Sequence, residues 1–290
     1  MTRPSVDVVV PFVGSDEALA RLRARLAALR LGPADSLTVV DNAPSARDRP
    51  QGGARVVAAP ERQSSYFARN RGAAAGSADW LLFIDADVDP RTDLIDRYFE
   101  TAPRPGTAVL AGGVVDRRPD GDRRQGVAER LAFLQSTLDQ DNTVRGDHPY
   151  AQTANCAVRR DAFEDVGGFR DDIRSGGDAD LCFRLAAAGH GLERRQGASV
   201  THLSRETVPA LLRQKARHGS GAAWLERRYP GFAPREDRAA LAKWTLRSSA
   251  SGLRALARRD RDAAIRSLLV PVTAWAFELG RRFSNRVVDA

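Results

Sequence analysis

Apolar positions in the first hundred residues fall in short unbroken runs, separated by stretches of helical period. "DVVVPF" (7–12), rich in β-branched residues and ending at Pro11-Phe12, predicts a first strand. "SDEALARLRARLAALRL" (15–31) then places Leu19, Leu22, Leu26 and Leu29 at helical spacing, with Asp16 and Glu17 in the first turn and Ser15 positioned to cap it. "SLTVVDNAPS" (36–45) predicts a second strand running into a turn, and "ARVVAAP" (54–60) a short third. A helix over "SSYFARNRGAAAGS" (64–77), ending near Gly76, leads to the fourth strand, "DWLLFIDADVD" (79–89). Runs that do not alternate, with helices between them, predict a parallel sheet covered on both faces. Ligands of such sheets collect beyond the carboxyl ends of the strands, where Pro11, Asp41 and Asp85 all stand.

Farther along, the pattern loosens. Residues 116–126 and 138–150 are polar and rich in turn formers, and are expected to be mobile loops of the kind that flank active sites. "AVRRDAFEDVGGF" (157–169) reads as a strand end and a short helix closed by Gly167-Gly168. "GGDADLCFRLAAAGHG" (176–191) predicts a helix from near Asp178 to Gly189, and "ASVTHL" (198–203) a short strand carrying His202. Beyond it the chain turns helical and basic, with Ile265, Leu268, Leu269, Val272, Leu279 and Phe283 at helical intervals. The expected division is a domain over 1–205, with halves of about 1–115 and 116–205, followed by a basic helical extension over 206–290.

Composition narrows this picture. With 290 residues, 42% of them hydrophobic, the chain can bury a substantial core. Its late apolar stretch "SLLVPVTAWAF" (267–277), with Pro271 inside, falls short of the ~20 residues a membrane-spanning helix needs. The N-terminus reads as a strand rather than a signal peptide, and Cys156 and Cys182 form neither a disulfide framework nor a metal spacing. A soluble, cytoplasmic protein is expected. The net charge of +8 is unevenly placed: residues 205–290 hold 18 Arg or Lys against 8 Asp or Glu, whereas residues 1–204 hold 27 against 29. Such asymmetry points to a polyanionic partner, nucleic acid or an anionic membrane.

The chemistry concentrates at "LLFIDADVDP" (81–90), where a buried-strand pattern ends in three carboxylates. Like charges this close raise one another's pKa unless water or a cation neutralises them. On a strand Asp85 and Asp87 would point to one side, so the pair could share a divalent ion such as Mg²⁺ or Mn²⁺. A solvated, Asp-rich turn is the alternative, and it is the reading favoured for Asp89 before Pro90.

"VVVPF", "LTVVDNAPS", "YFARNRGAAAGSADWLLFIDADV", "TANCAVRRDAFEDVGGF" and "GGDADLCFRLAAAGH" occur in an order that resembles the family 2 glycosyltransferases, inverting and nucleotide-sugar dependent, over about residues 6–205. The resemblance implies a GT-A fold: an α/β, Rossmann-like mixed sheet with helices on both faces, here followed by the helical extension. Its DxD motif corresponds to Asp85-Ala86-Asp87, which implies Asp87 as ligand of the divalent metal (Mn²⁺ or Mg²⁺) on the donor diphosphate, and Asp85 against the ribose or the metal's water shell. Asp41 matches a base-binding residue, with an Asx turn as the alternative. Arg69 and Asn70 match a motif near the nucleotide, an exposed helical arginine being the commoner fate. Asp178 matches the catalytic base, and an N-cap role is compatible with it. His202 matches a further metal ligand, against a purely structural histidine. Gly177 departs from the family pattern, which has Glu there. Phe12-Val13-Gly14 departs too, so contacts of Pro11 and Phe12 with the nucleotide would be through the backbone. Asp180 is read as structural, paired with Arg184.

The implied partners are a nucleoside-diphosphate sugar donor and a carbohydrate, lipid-linked or small-molecule acceptor. Peripheral contact of 238–290 with an anionic membrane, on the inner face, stands beside packing of that tail on the protein itself. Two other functions compete. A haloacid-dehalogenase-like phosphatase would also use a DxD strand, but it needs that strand first and a downstream Lys, and the only lysines are Lys215 and Lys243. Nucleic-acid binding has the basic tail but no recognition motif, zinc spacing or aromatic RNA-binding pattern, so no nucleic acid is expected.

Overall fold

The computed structural model describes residues 3–48, 54–116, 126–135, 140–203 and 207–287. The chain forms two compact units, one of Met1–Val115, Leu138–His202 and Arg286–Ala290, the other of Asp116–Thr137 and Leu203–Asn285.

In the first unit β1 (Val6–Phe12), β2 (Ser36–Asp41), β3 (Arg55–Ala58) and β4 (Trp80–Ile84) run parallel, in the spatial order β3-β2-β1-β4. Their unbroken apolar runs follow from burial on both faces: Val8, Val9 and Val10 of β1 and Leu81 to Ile84 of β4 are inaccessible to solvent. Helix α1 (Asp16–Leu26) joins β1 to β2 and buries Leu19, Leu22 and Leu26, and Ser15 caps it by accepting the Ala18 N–H. Helix α2 (Ser65–Ala73) joins β3 to β4, with Ser64 accepting from Tyr66 and Phe67. Phe12 lies opposite Asp41, and Asp41 opposite Ala58, so the strand ends reach one edge together.

The remaining strands make the sheet mixed. β5 (Val88–Pro90), α3 (Leu94–Tyr98), β6 (Thr107–Asp116), α5 (Gln140–Val144), β7 (Asn155–Arg159), α6 (Arg160–Asp165), α7 (Gly177–Ala187) and β8 (Gly191–His202) complete the unit. β7 pairs antiparallel with β4 and with β6, and β5 antiparallel with β8, giving an eight-stranded sheet ordered β3-β2-β1-β4-β7-β6-β8-β5. Fully buried Asn155 fastens these strands: it accepts from Tyr98 and donates to the carbonyls of Gly113 and Ala198, each at 2.8 Å.

Three expectations change. Residues 85–87 leave the strand and form a turn, while Asp89, expected in a turn, lies in β5 opposite Thr201. The predicted loop over 138–150 contains α5, and residues 117–125 and 138–139 of the two expected loops lie outside the described residues. β8 begins seven residues before the predicted strand over 198–203.

The second unit holds α4 (Val127–Gln135), α8 (Val208–Arg228), α9 (Arg238–Ala257) and α10 (Arg261–Gly280). Ala128, Leu131, Leu211 and Ile265 make its core, and Arg130 pairs with Asp262 through two bonds of 2.9 and 2.5 Å. Gly219 of α8 faces the Phe277 carbonyl and Gly280 of α10 faces the Ala216 carbonyl, so close that neither position has room for a Cβ. The apolar stretch 267–277 lies within a helix of 20 residues that, by length and composition, is long enough to cross a membrane, contrary to the eleven-residue reading. Its Ala264, Ile265, Pro271, Thr273 and Gly280 are buried within the unit.

Candidate active site

The carboxylates of the 85–87 turn go to different partners. β4 ends at Ile84, and the chain turns back with the Val88 N–H on the Asp85 carbonyl at 3.4 Å. Arg25 of α1 holds the turn by donating to the Ala86 carbonyl at 2.6 Å. The turn enters β5, whose Val88 stands opposite His202 at the end of β8. That register brings His202 Nε2 to 3.8 Å from Asp87 Oδ2. Asp85 instead meets Arg69, whose Nη2 lies 2.5 Å from Oδ1.

Arg69 is buried, not exposed on its helix. Its guanidinium lies 5.6 Å from the Tyr66 ring centre and 6.0 Å from that of Phe169, two rings that stack with centroids 5.5 Å apart. Burial pushes the Asp85 carboxyl above the usual carboxylate range and Asp87 adds to the shift, while Arg69 opposes both. Asn70 spends both ends of its amide on the backbone of Phe169, accepting its N–H at 3.0 Å and donating to its carbonyl at 2.8 Å. It thereby fixes the loop that presents Phe169. Asp41 accepts the Ala43 N–H at 3.0 Å, an Asx turn that ends β2, and is buried. Phe12 is buried beside it and Pro11 is half-buried.

Asp178 is the second residue of α7. The N-cap is Gly176, with φ +87°, and Asp178 accepts the N–H of Ala179 at 3.0 Å. Burial raises its carboxyl above the usual range, against the pull of Arg69 and with a smaller push from Asp85, so these groups share one electrostatic environment. The N-terminal turn of a helix favours its ionised form. A Cβ on Gly177 would lie 2.8 Å from two atoms of the Tyr66 ring, which explains why no larger residue stands there. Asp180 is fully buried between Arg184, at 2.8 Å, and Arg170, at 3.3 Å, as its structural reading requires. Tyr66, Phe169 and Tyr150 were not singled out from sequence. Tyr66 sits three residues before Arg69, a helical spacing that could have drawn attention to it. The Tyr150 hydroxyl is raised by burial and by the Asp178 charge, which places it on the Asp178 side of the site. Two cavities of about 390 and 400 Å³ in this unit are lined by other residues, around Arg194 and around Asp7.

A divalent cation fits the turn. Ligands bound at about 2.1 Å lie roughly 3–4 Å apart around a shared ion, and the Asp87–His202 separation of 3.8 Å falls within that span. Among the described residues no group of three or more His, Cys, Asp or Glu gathers to hold a metal alone. Magnesium is commonly held by one or two carboxylates, with waters and substrate phosphates completing its sphere.

The family profile described as "Glycosyl transferase family 2" matches residues 7–167, which include Asp41, Arg69, Asp85 and Asp87 and stop before Asp178 and His202. The pre-mycofactocin glycosyltransferase of Mycobacterium tuberculosis is 32% identical, over 87% of this chain and 54% of its own length. Glycosyltransferase AglE of Haloferax volcanii is 31% identical, over 57% of this chain and 53% of its own. The chain thus spans about half the length of these relatives. Among solved structures, mannosyltransferase PcManGT from Pyrobaculum calidifontis, in complex with GDP-Man and Mn²⁺, superposes with a TM-score of 0.59 at 16% identity, covering 97% of this chain and 74% of that one. That likeness is one of fold.

Proposed function

The chain belongs to glycosyltransferase family 2 and has the GT-A fold, and we propose that it moves a sugar from a nucleoside-diphosphate sugar to an acceptor hydroxyl by direct displacement with inversion. The observation that carries this reading is the division of Asp85 and Asp87 between Arg69 and His202 at the carboxyl edge of the parallel strands. Asp85, paired with the buried Arg69 guanidinium, would orient a ribose hydroxyl, whereas Asp87 and His202 together would hold Mn²⁺ or Mg²⁺. The ion, when bound, supplies positive charge to the departing diphosphate. Asp41 and the backbone around Pro11 and Phe12 line the same edge and would receive the base, while Asn70 holds Phe169 in the wall of the site. Asp178 takes the acceptor hydroxyl's proton as the oxygen attacks the anomeric carbon. Its carboxylate, made more basic by burial, suits that role.

The acceptor is a carbohydrate, a lipid-linked sugar or a small molecule, reached through the Asp178 side of the site. Both cysteines are free and buried, which accords with a cytoplasmic setting. The PcManGT complex holds GDP-Man and Mn²⁺, so guanine and uracil nucleotide sugars with Mn²⁺ are the first donors to assay by thermal shift. Parent protein is expected to be stabilised by one of them only with metal. Asp87→Ala should lose that metal-dependent shift, and Asp178→Asn should keep it while losing transfer. Transfer at the parent rate by Asp178→Asn would remove Asp178 as base.

A further inference from the structure

The second unit carries a surface that sugar transfer leaves unused. α9 and α10 run antiparallel, with Trp275 Nε1 donating to Thr245 Oγ1 at 2.9 Å and Leu268 closing on Gly252. At about 100° per residue, one side of this seam presents Leu246, Leu253 and Leu256 of α9 with Val272 and Leu279 of α10. The α9 leucines are 73%, 63% and 54% exposed, where a packed helix would hide them. Next to them on α9 runs a stripe of exposed Lys243, Arg247 and Arg254, and no ion pair engages these three among the described residues. Between Arg238 and Arg259 the sequence carries six basic residues and no acidic one.

A leucine ridge bordered by cations, without anions, has few suitable partners. A second copy meeting it across a two-fold axis would set one cationic stripe against another. Nucleic acid would use the cations and leave the leucines in water. An anionic bilayer uses both: the leucines enter the boundary of headgroups and acyl chains while the cations meet phosphates. We propose that this face of α9 and α10 docks the protein on membranes rich in anionic phospholipid, with both helices lying in the plane of the interface. α10 does not cross, because Gly280 is seated against α8 and Ile265 in the unit's core.

The test is co-sedimentation of the full chain with vesicles of phosphatidylcholine alone or mixed with phosphatidylglycerol, at low and high salt. Binding is expected on the mixed vesicles only, released by salt. Arg247→Gln with Arg254→Gln should weaken partition about fivefold per charge removed. Leu246→Ser with Leu253→Ser, at exposed positions that leave the fold intact by circular dichroism, should abolish it. Retention in the supernatant with mixed vesicles at low salt would overturn the proposal, as would unchanged binding by the leucine variant. A dimer dispersed by the leucine variant, with no vesicle binding by the parent, would assign the face to a second copy instead. None of these readouts involves sugar transfer, so their failure leaves the transferase reading untouched.

Discussion

Asp85 and Asp87 are two positions apart in sequence, yet one is neutralised by a guanidinium and the other stands beside an imidazole. The carboxylates themselves were legible in the sequence because three acids close a buried apolar run. Their partners were not, because Arg69 comes from α2 and His202 from the end of β8, and only the folded sheet brings them together. Asp178 offers the sharpest test at this scale. Burial raises its pKa in the folded state, so the folded protein binds that proton more tightly than the unfolded chain does. Stability contributed by the protonated form is therefore lost as pH rises from the unfolded pKa of about 4 through the raised folded value. At neutral pH the ionised carboxylate destabilises the fold, and Asp178→Asn should unfold at a higher temperature than the parent. The difference should shrink as pH falls toward about 4. The acid limb of the transfer rate should likewise lie above the ordinary carboxylate range, since only ionised Asp178 accepts the proton. Thermal unfolding of both proteins across pH checks the first expectation, and an Asn variant less stable than the parent at neutral pH would contradict it.

Elements differ in how plainly the sequence announces them. β1, β2 and β4 were readable because each buries both faces, and α1 because a serine cap precedes it. β5 has only three residues and exists through its pairing with β8, a contact more than a hundred residues away that no local pattern encodes. β6 carries Gly112-Gly113 in mid-run, which reads as a breaker, although the neighbouring Tyr98 hydroxyl and Asn155 amide need the space. The start of α7 shows the same dependence on tertiary neighbours. Gly177 was visible as a departure from the family's acid, but its cause, the Tyr66 ring at 2.8 Å from a would-be Cβ, belongs to another helix. Gly177→Ala should therefore cost about 1–3 kcal/mol through overpacking, read by urea denaturation. Combined with Tyr66→Ala, which opens the space, it should cost much less than the sum of the two single changes. Additive losses would mean that the glycine answers to something other than the ring.

Across the whole chain, charge and fold are divided unequally. Residues 205–290 carry the basic excess, 18 Arg or Lys against 8 Asp or Glu, while the carboxylates of the proposed donor site lie in the other unit. The sequence made that asymmetry plain but gave no sign of which anion it serves, since a diphosphate donor and an anionic membrane both attract cations. The structure adds that the α9 cations border exposed leucines, a setting with no use in nucleotide recognition. The two attractions can be separated by one variant. A donor present at a hundred times its dissociation constant stabilises the folded state by about 2.7 kcal/mol. Changes with no shared partner add independently. Arg247→Gln with Arg254→Gln should therefore show the same donor-and-Mn²⁺ thermal shift as the parent, even as its partition onto anionic vesicles falls. If the variant, still folded, loses the donor shift, the basic stripe serves the nucleotide, and α9 becomes part of the donor site rather than a surface for lipid.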